Sequence, residues 1–511
     1  MFSSLTTPLP LWEGYGGGSF IAMANIKSLV KDTAIYGMSS IIGRFLNYLL
    51  VPLYTHVFPA SGGGYGVVTN LYAYVALILV ILTFGMETTF FRFANKDEEN
   101  PHCVFSTSIF MVSALSALFL ALVFGFIDPI SEALNYTEHK EYILMLAVVV
   151  ALDAFQAIPF SYLRYKKKAI KFASLKMFYI FLNVGLNLVY FVWLGKTDVF
   201  YVFSLNLVCT GLITFFFIPE FAHEHVAARV YCKENGVPFK IVDFALLRRM
   251  FKYSWPILVL GIAGILNQTA DKMIFPLVYD GGADAAKEQL GIYGGCVKIA
   301  MIMALITQAF RYAYEPIVFA KSKDGDKKEY YSAAMKYFLI FTLLAYLCVV
   351  AYMPILEIIL GGDYREGLKV VPIVMAAEIM MGVYFNLSFW YKLIDKTIWG
   401  AWFSAAGCIV LLAVNYFFIP EYSYMACAWG GVAGYGTAML LSYFIGQKKY
   451  PIDYKVGRLL LYVAVTAVLY AVMHFVTEGM ADIPRMAINT VLILVYVGIV
   501  WKLDIPKRKR A

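Results

Sequence analysis

Charge is scarce in this sequence. Of 511 residues, only 15% are Asp, Glu, Lys or Arg, against about a quarter in soluble globular chains. A soluble domain needs a polar surface, so a soluble enzyme and a disordered chain are both excluded. Cysteine is also sparse and unpaired in pattern. Cys103, Cys209, Cys232, Cys296, Cys348, Cys408 and Cys427 form no CxxC pair and are odd in number, which excludes a disulfide scaffold and gives no zinc site. Six histidines offer one close pair, His223 and His225, in a polar stretch where a solvated loop is the expected reading rather than a metal site. No GxxxxGK[ST], HExxH or GxSxG motif occurs, so neither ATP hydrolysis nor other enzyme chemistry is expected, and no cofactor. Gly62-Gly63-Gly64 reads as a flexible turn, since no strand precedes it.

What the sequence has in excess is apolar length. Hydrophobic residues make up 61% of the chain and aromatics 17%, and the mean hydropathy is +0.70. This is the composition of a polytopic membrane protein. Runs such as Val75–Thr83 and Leu459–Val472 lack the strict alternation of barrel strands. They therefore predict helices, each needing about 20 mostly apolar residues to span. Fourteen such stretches are predicted. The first six cover about 31–56, 66–92, 103–127, 142–163, 171–194 and 198–219. The next six cover about 250–278, 291–318, 333–357, 368–393, 397–419 and 424–446, and a final pair covers 455–477 and 484–502.

Basic residues set the expected orientation. With the N-terminus cytoplasmic, thirty-two of the 42 Lys and Arg fall in inside segments, among them Lys166 to Lys168, Lys171 and Lys176. Six fall outside, and Arg44, Lys272, Lys298 and Arg311 lie within spans. Both termini are thus expected in the cytoplasm. The net charge of +8 is accounted for by loops facing that side, with no nucleic-acid partner implied.

The organisation reads as 6 + 6 + 2. Residues 1–25 are expected to be a disordered or non-native extension, with Met23 the expected start. An N-lobe at 26–219, a cytoplasmic linker at 220–249 and a C-lobe at 250–446 follow. Residues 447–511 hold two further spans and a basic tail. Two lobes with an even span count share one orientation, so a parallel pseudo-twofold repeat is expected. A loose echo accompanies it: Val51-Pro52-Leu53-Tyr54 with Tyr65-Gly66, and Phe275-Pro276-Leu277 with Tyr293-Gly294. Such a plan fits alternating access.

Ionisable groups at bilayer depth cost at least about 2.5 kcal/mol on insertion scales, so they face a cavity or a partner. Ser40, Arg44 and Asn47 share a face of the first span, and Asn267 and Asp271 share one in the seventh, beside Gln268 and Lys272. The eighth carries Lys298, Gln308, Arg311 and Glu315. Arg offers a planar fork to phosphate oxygens and Lys a point charge, so Arg44, Lys298, Lys272, Arg311 and Asn47 are the candidate anion-binding residues. The bland alternative is internal pairing, Lys272 with Asp271 and Arg311 with Glu315. Asp153 and Glu378 sit mid-span with no cation near in sequence and are the candidate coupling groups, together with Asp271. Glu87 lies toward the inner end, where structural pairing is expected. Asn183 and Asn187 are expected to make helix–helix hydrogen bonds.

Several stretches together resemble one family. KDTAIYGMSSIIGRFLNYLLVPLYT carries Gly43-Arg44 at its middle and Pro52 near its end. FGMETTFFRFA, LNQTADKMIF and IYGGCVKIAMIMALITQAFRYAYEPIVFA follow in order, the last with Lys298, Arg311 and Pro316. This series resembles the polysaccharide flippases of the multidrug/oligosaccharidyl-lipid/polysaccharide exporter superfamily, over nearly the whole chain after residue 25. The resemblance implies movement of an undecaprenyl-diphosphate-linked oligosaccharide, such as an O-antigen or capsule unit, between leaflets of a bacterial inner membrane. Membrane lipids and glycan polymerases are its implied partners. The competing expectation is a proton- or sodium-coupled multidrug antiporter of the same superfamily. That function needs an acidic, aromatic cavity more than deep arginines.

Overall fold

The structure, a computed structural model, describes residues 50–96, 99–234, 236, 242–320, 327–394, 396–477 and 479–504. Among the described residues the regular structure is entirely helical. Eleven helices are long and apolar enough to cross a membrane, or twelve if a bent pair counts as one span. The predicted all-helical membrane fold is therefore present, but the count of fourteen is not reached among these residues. The first predicted span, with Arg44 and Asn47, lies almost wholly outside them, as does the expected extension at 1–25. The described residues divide into two compact units, residues 50–57 with 67–269, and residues 58–66 with 270–504.

The first unit runs from α1 (Leu50–Val57) through α2 (Gly64–Thr83), α3 (Met86–Ala94), α4 (Pro101–Gly125), α5 (Lys140–Tyr165), α6 (Ala169–Leu188), α7 (Phe200–Phe216) and α8 (Ile218–Glu234) into α9 (Phe244–Val278). The helices α2 and α3 form one span broken at Phe84 and Gly85, which both take positive φ, 50° and 67°. Gly85 fits here for two reasons. Its φ disfavours other residues, and an added Cβ would lie 2.8 Å from Ile257 Cγ2 on α9. Around the break, Met86, Phe90, Phe105, Val112, Val150, Ala154 and Ile158 form a buried core shared by α3, α4 and α5. Asn100 caps α4, accepting from the His102 amide at 3.0 Å, and Pro101 occupies the first turn, where its missing N–H costs nothing. The 35-residue α9 is about 52 Å long at 1.5 Å per residue, longer than the ~30 Å hydrocarbon layer. Its first turns carry Arg248, Arg249 and Lys252, as an overhang into water would.

The second unit takes the end of α9 and continues through α10 (Ala283–Ala300), α11 (Ile302–Ala320), α12 (Lys327–Ala351), α13 (Val371–Leu387), α14 (Phe389–Leu393), α15 (Ile398–Tyr422), α16 (Tyr424–Lys449), α17 (Val456–Phe475) and α18 (Asp482–Asp504). The helices α10 and α11 are the bent pair, 40° apart at Met301. The predicted span 424–446 is the helix α16, yet it falls short in apolarity because of its glycines. Those glycines serve packing instead. A Cβ on Gly434 would lie 2.8 Å from Gly407 O of α15, and a Cβ on Gly407 would lie 2.6 Å from Gly434 O. Small residues let two membrane helices touch backbone to backbone.

Candidate functional site

The interior polar groups gather in two clusters, one in each unit. In the second unit, Asp271 and Lys272 leave α9 at adjacent positions. Lys272 Nζ donates to both Asp271 carboxylate oxygens at 3.0 Å. Tyr293 of α10 donates its hydroxyl to Asp271 Oδ2 at 2.7 Å, and Lys272 Nζ lies 5.6 Å from the centre of that tyrosine ring. Lys298, near the end of α10 and just before the bend, lies within electrostatic range of Lys272. Glu378 of α13 is also within electrostatic range of Lys272. Tyr435 of α16 feels both Glu378 and Asp271. The cluster thus holds two cations and two acids, drawn from α9, α10 and α13. Asp271 is buried, whereas Lys272, Lys298 and Glu378 are half-buried.

Arg311 is not part of this cluster. It follows Lys298 by about 20 Å of helix, beyond the bend. Its guanidinium lies 5.0 Å from the Phe385 ring centre, an arrangement that attracts a cation to a π face. With Lys392 and Asn386 it lines a crevice between α11 and the α13–α14 segment. The Glu315 side chain, its expected partner, lies outside the described residues.

The first unit builds its cluster differently. Asp153 of α5 attracts Lys176 of α6 and contacts Thr210 of α7. Charge counting places Lys176 in a cytoplasmic segment, but α6 begins at Ala169, so Lys176 is already two turns along it. Lys176 Nζ stands 3.9 Å above the Phe160 ring. A ladder of amides and hydroxyls surrounds this pair. Gln156 donates to Thr210 O at 2.9 Å and Thr214 Oγ1 at 2.8 Å. Asn206 accepts from Tyr179 at 2.8 Å and donates to the Tyr72 hydroxyl at 2.6 Å. Asn187 donates to Asn183 Oδ1 at 2.7 Å along the same helix and accepts from Tyr54 of α1 at 2.7 Å, so Asn187 makes the expected helix–helix bond while its bond to Asn183 stays within α6. Glu87 meets Arg164 at 3.3 Å.

Sequence reasoning missed Lys176, Tyr293 and Tyr435. For Lys176 a usable signal existed, its depth past the helix start. For the tyrosines no signal existed, since 38 tyrosines are spread along the chain and only packing selects two. Asp153 and Glu378 have no cation near in sequence, yet each faces one from a different helix.

The fold and these clusters can be set beside known proteins. A family model described as "Polysaccharide biosynthesis protein" matches residues 29–319, more than half of the chain. The chain belongs to that family. It is similar in fold to a solved lipid II flippase, MurJ, in an inward closed conformation. The TM-score is 0.69 at 15% identity, covering 92% of this chain and 99% of that one. It is also similar to a multidrug resistance transporter of the MATE family in an inward-facing conformation, with a TM-score of 0.59 at 13% identity over 80% and 94%. An outward-facing MATE structure gives 0.52 at 14% over 82% and 95%. At these identities the likeness is one of fold. By sequence, no curated protein matches. The chain is a multi-pass membrane protein of a polysaccharide biosynthesis family, built on a fold that flippases and drug transporters share.

Proposed function

We propose that this protein is a lipid-linked oligosaccharide flippase of a bacterial inner membrane. It moves an undecaprenyl-diphosphate-linked glycan from the cytoplasmic to the periplasmic leaflet by alternating access, with both termini cytoplasmic. The observation that carries the reading is the family match over residues 29–319 together with two interior lysines, Lys272 and Lys298, within electrostatic range of each other in the second unit. A diphosphate is the kind of anion that relieves repulsion between neighbouring ammonium groups, and charge-assisted hydrogen bonds to it are strong. Arg44 and Asn47 would serve the same headgroup from the first span, and Arg311 from the crevice further along α11.

Pairing gives the site a switch. Lys272 is held by Asp271 at rest, so the diphosphate must compete with a carboxylate. Protonation or cation binding at Asp271 or Glu378 would weaken that hold and couple the cycle to an ion; Asp153 is the corresponding acid in the first unit. The glycan crosses in water while the lipid tail stays in the bilayer.

The second reading, an ion-coupled multidrug antiporter, draws support from the MATE-like fold and from acids set among tyrosines, Asp271 with Tyr293 and Glu378 with Tyr435. One experiment separates the two. Lys298→Ala and Arg44→Ala are placed in a glycan-producing host at normal protein level, and surface polymer is measured. The flippase reading expects at least a tenfold loss for Lys298→Ala. Unchanged polymer in both variants removes the site. Drug resistance lost on deletion, with surface glycan intact, favours the antiporter.

A further inference from the structure

Away from both interior clusters, α12 and α18 leave a groove between them. It is lined by Tyr337, Ile340 and Leu344 on one helix and by Val497, Val500 and Trp501 on the other, with a volume of about 390 Å³. The spacing puts each set on one helical face. Behind the groove, the Tyr496 hydroxyl donates to Ile340 O at 3.1 Å and ties the two helices together. The outer wall is open: Trp501 is 69% exposed and Tyr337 is 58% exposed.

Any lipid covers an apolar face, so the groove alone selects nothing. Its end does. There Asp504 closes the groove and meets two cations, Lys336 of α12 at 2.9 Å and Arg458 of α17 at 3.9 Å. Two positive charges share one carboxylate, which leaves one in excess. The Arg458 contact is longer than a hydrogen bond, so its fork can turn to a phosphate without giving up a bond to Asp504. Lys336 Nζ also lies 4.4 Å from the Tyr337 ring centre, which brings the charge down to the mouth of the apolar slot. Trp501 and Tyr337 are the residue types that settle at the membrane–water boundary. From Tyr337 to Leu344, and from Asp504 back to Val497, the slot is about 10 Å long. One leaflet's hydrocarbon is about 15 Å deep, so the slot starts at headgroup level and ends within the same leaflet.

We infer that this groove binds one anionic glycerophospholipid. One acyl chain lies between α12 and α18, and the phosphate and acidic headgroup sit against Lys336 and Arg458. The lipid would hold α17 and α18 to α12, a role for the last two helices that transport chemistry does not require of them. The inference does not rest on the flippase reading, because it is tested by retained lipid and not by transport.

The full chain is purified, exposed to equimolar phosphatidylglycerol and phosphatidylcholine in mild detergent, and its retained lipids are counted by native mass spectrometry. One excess charge at the headgroup level predicts about a fivefold preference for phosphatidylglycerol. Lys336→Gln with Asp504→Asn and Arg458→Gln neutralises the end without leaving a lone buried charge. It should bring the ratio near parity while lipid is still bound. Val500→Trp, with the cations intact, should lower the number of retained lipids by one per chain. Equal retention of the two lipids by the unaltered protein would overturn the inference, as would an unchanged preference in the neutralised variant. Undecaprenyl diphosphate displacing phosphatidylglycerol from the groove, with that competition lost in Val500→Trp, would assign it to a substrate tail and overturn it too.

Discussion

The two interior clusters contain the same kinds of group but are held together differently. In the first unit, acid and base come from different helices, Asp153 on α5 and Lys176 on α6, inside a ladder of fixed amides and hydroxyls. In the second, acid and base are neighbours on one helix turn, with a second lysine and a second acid close by. The second carboxylate near Lys176 is Glu87, which Arg164 already engages at 3.3 Å. Lys272, by contrast, has Glu378 in reserve beside Asp271. A cluster with one partner per charge is suited to holding helices in place. A cluster in which one lysine answers to two acids is suited to exchange, because losing one contact leaves another.

The difference can be broken or sharpened by removing acids one at a time. Asp153→Asn should be the costliest change, about 2 kcal/mol, since it removes the acid whose charge attracts Lys176 within the bundle. Thermal unfolding in one detergent reads this directly. The double variant Asp153→Leu, Lys176→Met should recover most of the loss, because apolar residues can replace two opposite charges held within a bundle. Asp271→Asn should cost less, about 1.5 kcal/mol, as the amide still accepts from Tyr293 and Lys272 keeps Glu378. If Asp271→Asn proves the more damaging, the contrast between the units is wrong. Tyr293→Phe removes one hydrogen bond to a charged group and should cost about 1.5 kcal/mol. Smallest of all, Arg249→Ala breaks a bidentate pair in which the arginine is 55% exposed but the Glu99 side chain only 8%, so about 1 kcal/mol should be lost.

How far the sequence could be read follows the same division. The spans were legible because apolar length is a one-dimensional property; thirteen of the fourteen predicted stretches coincide with described helices. The Asp271–Lys272 pair was legible because the partners are adjacent. Asp153 with Lys176 and Glu378 with Lys272 were not, because helix packing brings them together across long stretches of sequence. Charge counting by loops leaves the surroundings of Lys176 unread for a physical reason. A lysine two turns inside a helix can still point along it, and only the facing acid reveals that this one is used in the bundle. The break at Phe84-Gly85 was hidden within an apolar run, since backbone φ leaves no mark on hydropathy. Conversely α16 was read as an ordinary span, while its glycines were reporting contact with α15.

The central claim is that Lys272 and Lys298 together hold a diphosphate. Equilibrium binding of undecaprenyl diphosphate to the purified chain, with Lys298→Gln and the double variant Asp153→Leu, Lys176→Met compared side by side, tests it most directly. The account predicts that Lys298→Gln weakens binding by 10- to 100-fold, about 1.5–3 kcal/mol for a charge-assisted hydrogen bond, while the first-unit variant binds as the unaltered protein does. Equal affinity in Lys298→Gln and the unaltered chain would contradict it.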